Sequence, residues 1–462
     1  MSAPTLRLLP HATLVFVGLF TIAFFLFAHE GLYDYDDYNY ARYAHQLATG
    51  TFDLAPEPGH RDYTPLHQRL LVFGPVALFY KLLGVGIFTT TFWPLLCTLG
   101  TSLIFYLLYR QRVPVVASAA ILLLGLHYFT LNLSIYLYPD NVLMFFAAGS
   151  AAALLHGRRP ERKHPVWWGF GFALLNFAAF LSKETIVYYL PFYLGILLLD
   201  LWHRRHGRFW LAALCTGITL LAIYLAVYQA AAHDWLYRFD VIESINEVRK
   251  VGNTSAGYGG LVARITYMPL QLLLGTGLGV VLLLVLVATT WRNRLSNDAR
   301  FWLALAGSSL AFYWLGSTSF SYYNPNSLLP RMLTPLLPPL CLAAGFGLEY
   351  FARTGRGGWV LALGLLAELH GCEVASVLFM AYWGLFCING RTNINGVWSQ
   401  NSWASGSGNR IFCCCHAGCI RHSLGHSSYL LSDAAEQIGL LCPAAYHAAG
   451  ITWAGWGRRL DG

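Results

Sequence analysis

Long apolar runs alternate with short polar segments along most of this chain. Most of the runs are long enough to cross about 30 Å of hydrocarbon as an α-helix. They lie at residues 12–28, 92–109, 114–133, 141–155, 167–181, 185–200, 209–230, 268–290, 301–316 and 332–350, and a further run starts near Trp359. The pattern predicts an all-α polytopic membrane protein with about 11–12 transmembrane helices.

Two segments between the first and second runs have a different pattern. From Tyr38 onward, apolar and aromatic residues recur at helical spacing until Gly50, which predicts an amphipathic helix at the membrane interface. The run Leu70 to Leu83 is short for a crossing and contains Gly74-Pro75, so it is predicted to be interfacial or re-entrant. The first outer loop therefore carries interfacial helices.

Basic residues concentrate in every second connection between the runs. They include Arg110, Arg158, Arg204, Arg292 and Arg353. Because Lys and Arg are enriched in cytoplasmic loops, these connections are predicted to lie inside. The intervening connections are then outside, at 29–69, 134–139, 182–184, 231–266 and 317–331.

The composition agrees with a membrane protein and excludes nucleic acid as a partner. Only 11% of the residues are charged and 56% are hydrophobic, whereas a soluble domain has about 25% charged residues. The net charge of +8 comes from short basic runs between apolar stretches and not from one basic face.

The densest acidic group follows the first run. Asp34, Asp36 and Asp37 lie within four residues, at the N-terminus of the predicted amphipathic helix that carries Tyr40. The helix dipole favours ionised carboxylates at that position. Three carboxylates beside several tyrosines are more than helix capping needs, which favours a functional role. N-capping combined with a solvated acidic turn is the alternative.

Two other outer connections bring charges to the membrane boundary. Asp140 follows Tyr138-Pro139 at the start of a run, where an acidic residue is also an ordinary helix N-terminal residue. Lys183 and Glu184 lie between two runs with almost no loop. Charges at membrane depth are costly and are usually functional or paired. A local Lys183–Glu184 ion pair is the alternative.

Cationic residues lie on the same predicted side. Arg331 leads into a proline-rich apolar run, and its planar guanidinium suits bidentate binding of phosphate. An interfacial arginine that extends its head group to water is the alternative. His67, Arg61 and Arg69 add further candidate cationic contacts. The sixteen histidines form no zinc-binding helix pattern, which disfavours a zinc enzyme, although a divalent ion at the acidic group stays open.

In order along the chain, these motifs resemble the GT-C glycosyltransferases. Within that group they are most similar to the bacterial branch related to protein O-mannosyltransferases and the lipid A aminoarabinose transferase, over about residues 10–350. The matching motifs are Asp36-Asp37-Tyr-Asn-Tyr40-Ala41, Thr64-Pro65-Leu66 through Leu83-Gly84, Tyr138-Pro-Asp140, Ser182-Lys183-Glu184 and Pro330-Arg331 through Pro339. Asp37 stands where the family has Glu, the family's Lys before the prolines is missing, and Met332 replaces a Tyr.

The resemblance implies an enzyme that takes a sugar from a polyprenyl-phosphate donor and transfers it, with inversion, to a lipid, glycan or protein acceptor. The implied location is the extra-cytoplasmic face of a bacterial inner membrane, with membrane lipids as partners and no cofactor. The expected catalytic residues are Asp36, Asp37 and Asp140. The expected substrate-binding residues are Tyr40, His67, Arg69, Lys183, Glu184 and Arg331. The sequence indicates neither the sugar nor the acceptor.

Two other classes of membrane protein remain as alternatives. One is a transporter or flippase of lipid-linked sugars, and the other is a glycan polymerase or ligase. The charged residues cluster at the predicted outer loops and not at the bilayer midplane, which disfavours a transporter. The paired aspartates of the first outer loop favour the transferase.

The C-terminal part of the chain differs in composition from the rest. We predict a transmembrane transferase domain at residues 1–365 and an atypical segment at 366–462, rich in Cys, Gly, Ser and Trp. Seven of the ten cysteines lie in that segment, which suggests that it is out of frame or degenerate. The adjacent residues Cys413-Cys-Cys-His do not have the spacing of a zinc site.

Overall fold

The structure is a computed structural model. It describes residues 3–32, 35–54, 66–159, 164–244, 257–290, 296–317, 319 and 321–354. Contacts divide the chain into two units, Met1–Glu368 and Leu369–Gly462, and every described residue belongs to the first. The predicted run near Trp359 and the predicted segment 366–462 therefore lie outside the described residues.

The described part of the chain is helical, apart from connections and one isolated β-bridge between Ser317 and Pro325. The α-helices are α1 (Ala3–Phe27), α2 (Tyr35–Thr49), α3 (Leu70–Leu83), α4 (Ile87–Tyr109), α5 (Pro114–Gly125), α6 (Tyr128–Asn132), α7 (Pro139–Gly157), α8 (Pro165–Ser182), α9 (Leu190–Trp202), α10 (Gly207–Ala232), α11 (Gly257–Thr266), α12 (Met268–Gly275), α13 (Gly279–Thr290), α14 (Asn297–Leu315) and α15 (Leu337–Thr354). Segments of 3₁₀-helix occupy Leu66–Gln68, Glu184–Tyr189 and Pro330–Leu336. The all-α class predicted from the sequence is confirmed.

Six helical segments of the described chain are long and apolar enough to cross a membrane. They are Arg7–Phe27, Ile87–Tyr109, Pro165–Ser182, Glu184–Trp202, Gly207–Ala232 and Pro330–Thr354, and the bent pair α12 and α13 makes a seventh if it counts as one span. The helices α7 and α14 each have 19 residues but lie outside this set. The polytopic membrane class is confirmed, although these spans are fewer than the 11–12 that the sequence predicted.

Two runs that we predicted as continuous spans are broken in the structure. In the run 114–133, α5 ends at Gly125 and the short α6 begins at Tyr128. In the run 268–290, α12 and α13 meet at an angle of 113°. Gly277 at this bend has φ +76°, a conformation that glycine adopts without strain. Both breaks lie within apolar sequence, which is why hydropathy alone did not reveal them.

The first outer loop has the two helices that the sequence predicted. α2 ends at Thr49, and the following Gly50 has φ +77°. Its residues Tyr40 and Tyr43 are buried against Phe73 of α3 in one apolar cluster. The helix α3 has 14 residues and belongs to the apolar helices that are too short for a full span. Residues of α2 thereby gain a fixed position beside the helix bundle.

Helix α7 and the segment Pro330–Thr354 form the interior of the bundle, and each carries a candidate site residue near its N-terminus. In the apolar 18-residue window of Pro330–Thr354, 89% of the residues are buried, whereas in the other continuous candidate spans this share is between 17% and 56%. α7 packs against α4 and α8. A Cβ atom added at Gly345 of α15 would lie 3.0 Å from the carbonyl oxygen of Val116, so α15 and α5 approach closely. Asp140 begins α7, and Arg331 begins the second interior element.

Candidate active site

Lys183 and Asp140 form an ion pair between α8 and α7. Lys183 follows the end of α8 with an extended backbone, and its Nζ donates a hydrogen bond to Oδ1 of Asp140 at 2.6 Å. Asp140 lies in the first turn of α7 after Pro139, where the helix dipole favours a carboxylate. The two side chains are 6% and 1% exposed. Each buried charge therefore depends on the other.

Glu184 is paired with two arginines that are distant in sequence. Its carboxylate accepts hydrogen bonds from Nη2 of Arg69 at 2.9 Å and from Nη2 of Arg238 at 3.0 Å. Nη1 of Arg69 also donates to the hydroxyl of Tyr40 at 2.8 Å. The local Lys183–Glu184 pair that the sequence left open is thus replaced by two long-range pairings.

Asp36 and Arg331 form a fourth, more open ion pair. Nη1 of Arg331 lies 3.4 Å from Oδ2 of Asp36, and the side chains are 26% and 22% exposed. The guanidinium also stacks over the ring of Tyr138 at 5.1 Å. Asp36 lies in the first turn of α2. This carboxylate is more accessible than Asp140 and has a longer contact with its cation.

These ion pairs lie close enough to influence one another. Lys183 lies between two candidate spans. Burial lowers the pKa of its ammonium group, Asp140 raises that pKa, and the charges of Arg331 and Arg69 lower it, so that the pKa is below its ordinary value. The structure therefore gathers seven of the predicted residues into one cluster. These residues are Asp36, Tyr40, Arg69, Asp140, Lys183, Glu184 and Arg331.

Tyr40 and Arg69 keep their protons in this cluster. Burial raises the pKa of the Tyr40 hydroxyl, and the opposing effect of Arg69 does not cancel it. Burial lowers the pKa of Arg69, but Glu184 and Tyr40 raise it by more, so that it exceeds its ordinary value. Tyr40 therefore serves as a neutral hydrogen-bond acceptor for a permanent cation.

The remaining two predicted residues contribute to the packing of α2. Asp37 is fully buried in α2. His67 is 1% exposed, and its ring lies 6.2 Å from that of Tyr43 and 6.3 Å from that of Tyr237, measured between centroids. Their assignment as catalytic and substrate-binding residues stays a prediction.

Three residues beside the cluster were missed from the sequence. Arg238 is 1% exposed, pairs with Glu184 and stacks over the ring of Phe180 at 4.3 Å. Gln68 and Thr185 adjoin Arg69 and Glu184, and no hydrogen-bond partner lies among the described residues for Oε1 and Nε2 of Gln68 or Oγ1 of Thr185. Arginine amid aromatic residues was the one available signal for Arg238. For Gln68 and Thr185 the sequence gave no signal other than their position next to Arg69 and Glu184.

The described residues include no group of three or more His, Cys, Asp or Glu side chains placed to hold a metal ion. Asp140, Glu184 and Asp36 each have a cationic side chain as partner. The expectation that the protein works without a metal stays a prediction.

One family of known proteins matches part of the chain. Residues 71–228 match the family model described as dolichyl-phosphate-mannose-protein mannosyltransferase. The matched region runs from α3 into α10 and contains Asp140, Lys183 and Glu184. No curated protein and no solved structure matches the chain.

The match confirms the resemblance to GT-C glycosyltransferases over this region. It supports a glycosyltransferase kind of activity in a multi-pass membrane protein, and the family implies a lipid-linked sugar donor. Four cluster residues, Asp36, Tyr40, Arg69 and Arg331, lie outside the matched region. Arg69 joins it through Glu184, and Arg331 joins it by stacking over Tyr138.

Proposed function

We propose that this protein transfers a sugar from a polyprenyl-phosphate donor to an acceptor hydroxyl on the extra-cytoplasmic face of a bacterial inner membrane. The acceptor belongs to a lipid, a glycan or a protein. The transfer inverts the anomeric centre in one displacement and uses no cofactor. The contact between Asp36 and Arg331 is the observation that carries this proposal.

Asp36 and Arg331 have the two chemistries that the reaction needs. The leaving group is a lipid phosphate, which an arginine binds through its planar fork of donors. The attacking hydroxyl needs a carboxylate to accept its proton. Both side chains are partly exposed and their contact is long, at 3.4 Å. A donor phosphate competes well for Arg331 and releases the Asp36 side chain to contact the acceptor hydroxyl.

The residues of this cluster account for the proton and the charge that move in the chemical step. The acceptor oxygen attacks the anomeric carbon and forms the new glycosidic bond, while Asp36 takes the hydroxyl proton. The bond between the anomeric carbon and the phosphate oxygen breaks, and the lipid phosphate leaves with the electron pair. Arg331 stabilises the negative charge on this phosphate, and Lys183 adds positive potential from its pair with Asp140.

The distribution of basic residues supports an extra-cytoplasmic site. α7 begins at the cluster with Asp140 and ends beside Arg158. α8 begins after this basic connection and returns to the cluster at Lys183. The next span leads from Glu184 to the basic connection after Trp202. Because basic connections favour the cytoplasm, the opposite helix ends that carry the cluster belong outside.

The position of the charges favours a transferase over a transporter. Transporters bind their substrates near the bilayer midplane, often at broken helices. Here Asp36, Asp140 and Arg331 lie in the first turns of their helical segments, and Lys183 follows the end of α8. A cluster at helix ends is suited to a lipid phosphate at the membrane boundary.

The test is sugar transfer in proteoliposomes from radiolabelled polyprenyl-phosphate donors that carry mannose, glucose, galactose or arabinose. We expect wild-type protein to use at least one donor. Asp36→Asn should lower kcat by about 10²- to 10⁴-fold, because the base is lost while the shape is kept. Asp53→Asn, which changes an exposed carboxylate outside the cluster, should retain wild-type activity.

The outcomes separate the parts of this proposal. Equal activity of Asp36→Asn and wild type would move the role of the base to Asp37 or Asp140. A wild-type protein that transfers none of the four sugars would overturn the proposed function.

A further inference from the structure

The carboxamide of Gln68 is buried beside the ion-pair cluster. Gln68 ends the 3₁₀ segment Leu66–Gln68 and directly precedes Arg69. Its side chain is fully buried, and neither Oε1 nor Nε2 has a hydrogen-bond partner in the described part of the chain. Buried amide groups in folded proteins almost always have partners, because burial without a hydrogen bond is costly.

Two other buried polar atoms without partners within the described ranges belong to a residue of the cluster or to a neighbour of one in the sequence. Oγ1 of Thr185 and Oδ2 of Asp140 also lack partners among the described residues. The Arg69–Glu184 pair brings the chain at Gln68 to the chain at Thr185. Asp140 is paired with Lys183, which directly precedes Glu184 in the sequence. Three separate parts of the sequence thus present unused hydrogen-bonding atoms around one cluster.

The chemistry of a carboxamide restricts what can satisfy it. Oε1 needs a hydrogen-bond donor, and Nε2 needs acceptors for its two N–H groups. A phosphate or carboxylate offers only hydrogen-bond acceptors and leaves Oε1 unsatisfied. A Lys- or Arg-type cation offers only donors and leaves Nε2 unsatisfied. Hydroxyl groups both donate and accept, and two neighbouring hydroxyls on a ring satisfy both ends of one carboxamide.

We propose that the carboxamide of Gln68 binds adjacent hydroxyl groups on the ring of the transferred sugar and thereby selects which sugar is used. This assignment rests on the proposed glycosyltransferase function and deepens it, because the cations of the cluster are suited to the phosphate while Gln68 is suited to the sugar.

The test combines a Gln68 variant with donors whose sugar lacks one hydroxyl group. The donor that wild-type protein uses is compared with its monodeoxy analogues, for wild type and for Gln68→Met, which keeps the length of the side chain without its polar atoms. Wild type should lose about 10- to 100-fold in kcat/KM on the analogue that lacks the recognised hydroxyl. Gln68→Met should treat that analogue and the parent donor alike, within about threefold.

A second measurement separates sugar binding from a structural role. If the amide has no partner inside the protein, Gln68→Met should have a Tm equal to or above that of wild type without donor. Gln271→Met is the control, because its helix carries no cluster residue. It should show the same relative kcat/KM on the monodeoxy donors as wild type.

Each result decides between defined alternatives. If wild type and Gln68→Met lose the same activity on each monodeoxy donor, Gln68 does not bind the sugar, while the transferase function remains in place. A markedly lower Tm for Gln68→Met would also overturn it, since the amide would then be bonded within the protein. Wild-type protein without transfer from any donor would overturn the proposed function and this assignment together.

Discussion

Nη2 of Arg238 lies 3.0 Å from Oε1 of Glu184, although 54 residues separate the two in the chain. The same nitrogen donates to the carbonyl oxygen of Phe180 at 2.8 Å. Residues 237–244 are helical and follow α10. This one side chain therefore fixes that helical segment to the end of α8 and to the carboxylate that holds Arg69.

Replacing Arg238 should destabilise the protein. Arg238→Met leaves Glu184 with Arg69 alone and removes the stacking on Phe180. We expect the free energy of unfolding to fall by about 2–3 kcal/mol, measured by equilibrium unfolding in mixed micelles. Arg353→Ala is the control, because its pair with Glu349 is a surface i,i+4 contact, and it should cost less than about 0.5 kcal/mol. Equal effects of both variants would contradict this role.

The Lys183–Asp140 pair should show strong coupling in a double-mutant cycle. Lys183→Met leaves the buried carboxylate of Asp140 without its cation and should cost about 3–5 kcal/mol. Adding Asp140→Asn removes that uncompensated charge and should recover most of the loss. The same unfolding measurement applied to both single variants and the double variant gives the coupling energy. Additive effects would show that the pair does not stabilise the fold.

Tyr40→Phe should separate stability from catalysis. The variant removes the hydroxyl that accepts a hydrogen bond from Arg69 and should cost about 1–3 kcal/mol. Glu184 still holds Arg69, so the loss in kcat should stay below that of Asp36→Asn. Tyr38→Phe on the same helix changes an exposed ring and should be nearly neutral in thermal unfolding. A destabilisation as large for Tyr38→Phe as for Tyr40→Phe would contradict the prediction.

Two glycines of α8 should respond in opposite ways to alanine. A Cβ atom at Gly169 would lie 2.2 Å from the carbonyl oxygen of Phe209, so Gly169→Ala must displace α10 and should lower the yield of folded protein. At Gly171 a Cβ atom would meet nothing within 4 Å. Gly171→Ala should raise stability by about 0.5–1 kcal/mol, because alanine is the better helix former. Size-exclusion profiles and thermal unfolding of the purified variants would decide this.

Hydropathy and charge were sufficient to predict most helices of the described chain. The interfacial segment Leu70–Leu83 has the bounds that its apolar run predicted, and α2 stops before Gly50 as expected. The breaks at Gly125 and Gly277 were not predicted. A break inside apolar sequence changes the backbone direction without changing the composition, so it depends on tertiary packing.

The site was partly predictable for a similar reason. Charged residues at membrane boundaries are conspicuous in an apolar chain, and Asp140, Lys183 and Arg331 were found in this way. The identity of their partners was not, since the Glu184–Arg69 contact joins segments that are 115 residues apart. Arg238 and Gln68 lie in predicted polar connections where many such residues occur. The aromatic residues beside Arg238 were a weak signal, and for Gln68 only its burial in the structure distinguishes it.

The interior position of α7 and of the segment Pro330–Thr354 has a consequence for the membranes in which the protein can work. At most 33% of the residues are buried in the apolar 18-residue windows of Arg7–Phe27, Pro165–Ser182, Glu184–Trp202 and Gly207–Ala232, and these segments form much of the surface suited to lipid. In the window of Pro330–Thr354 the buried share is 89%. A thicker or thinner bilayer imposes tilt on helices through their lipid contacts. The outer helices absorb that mismatch first, while Asp140 and Arg331 stay fixed to elements with little lipid contact. Transfer activity should therefore persist across bilayers of different acyl-chain length.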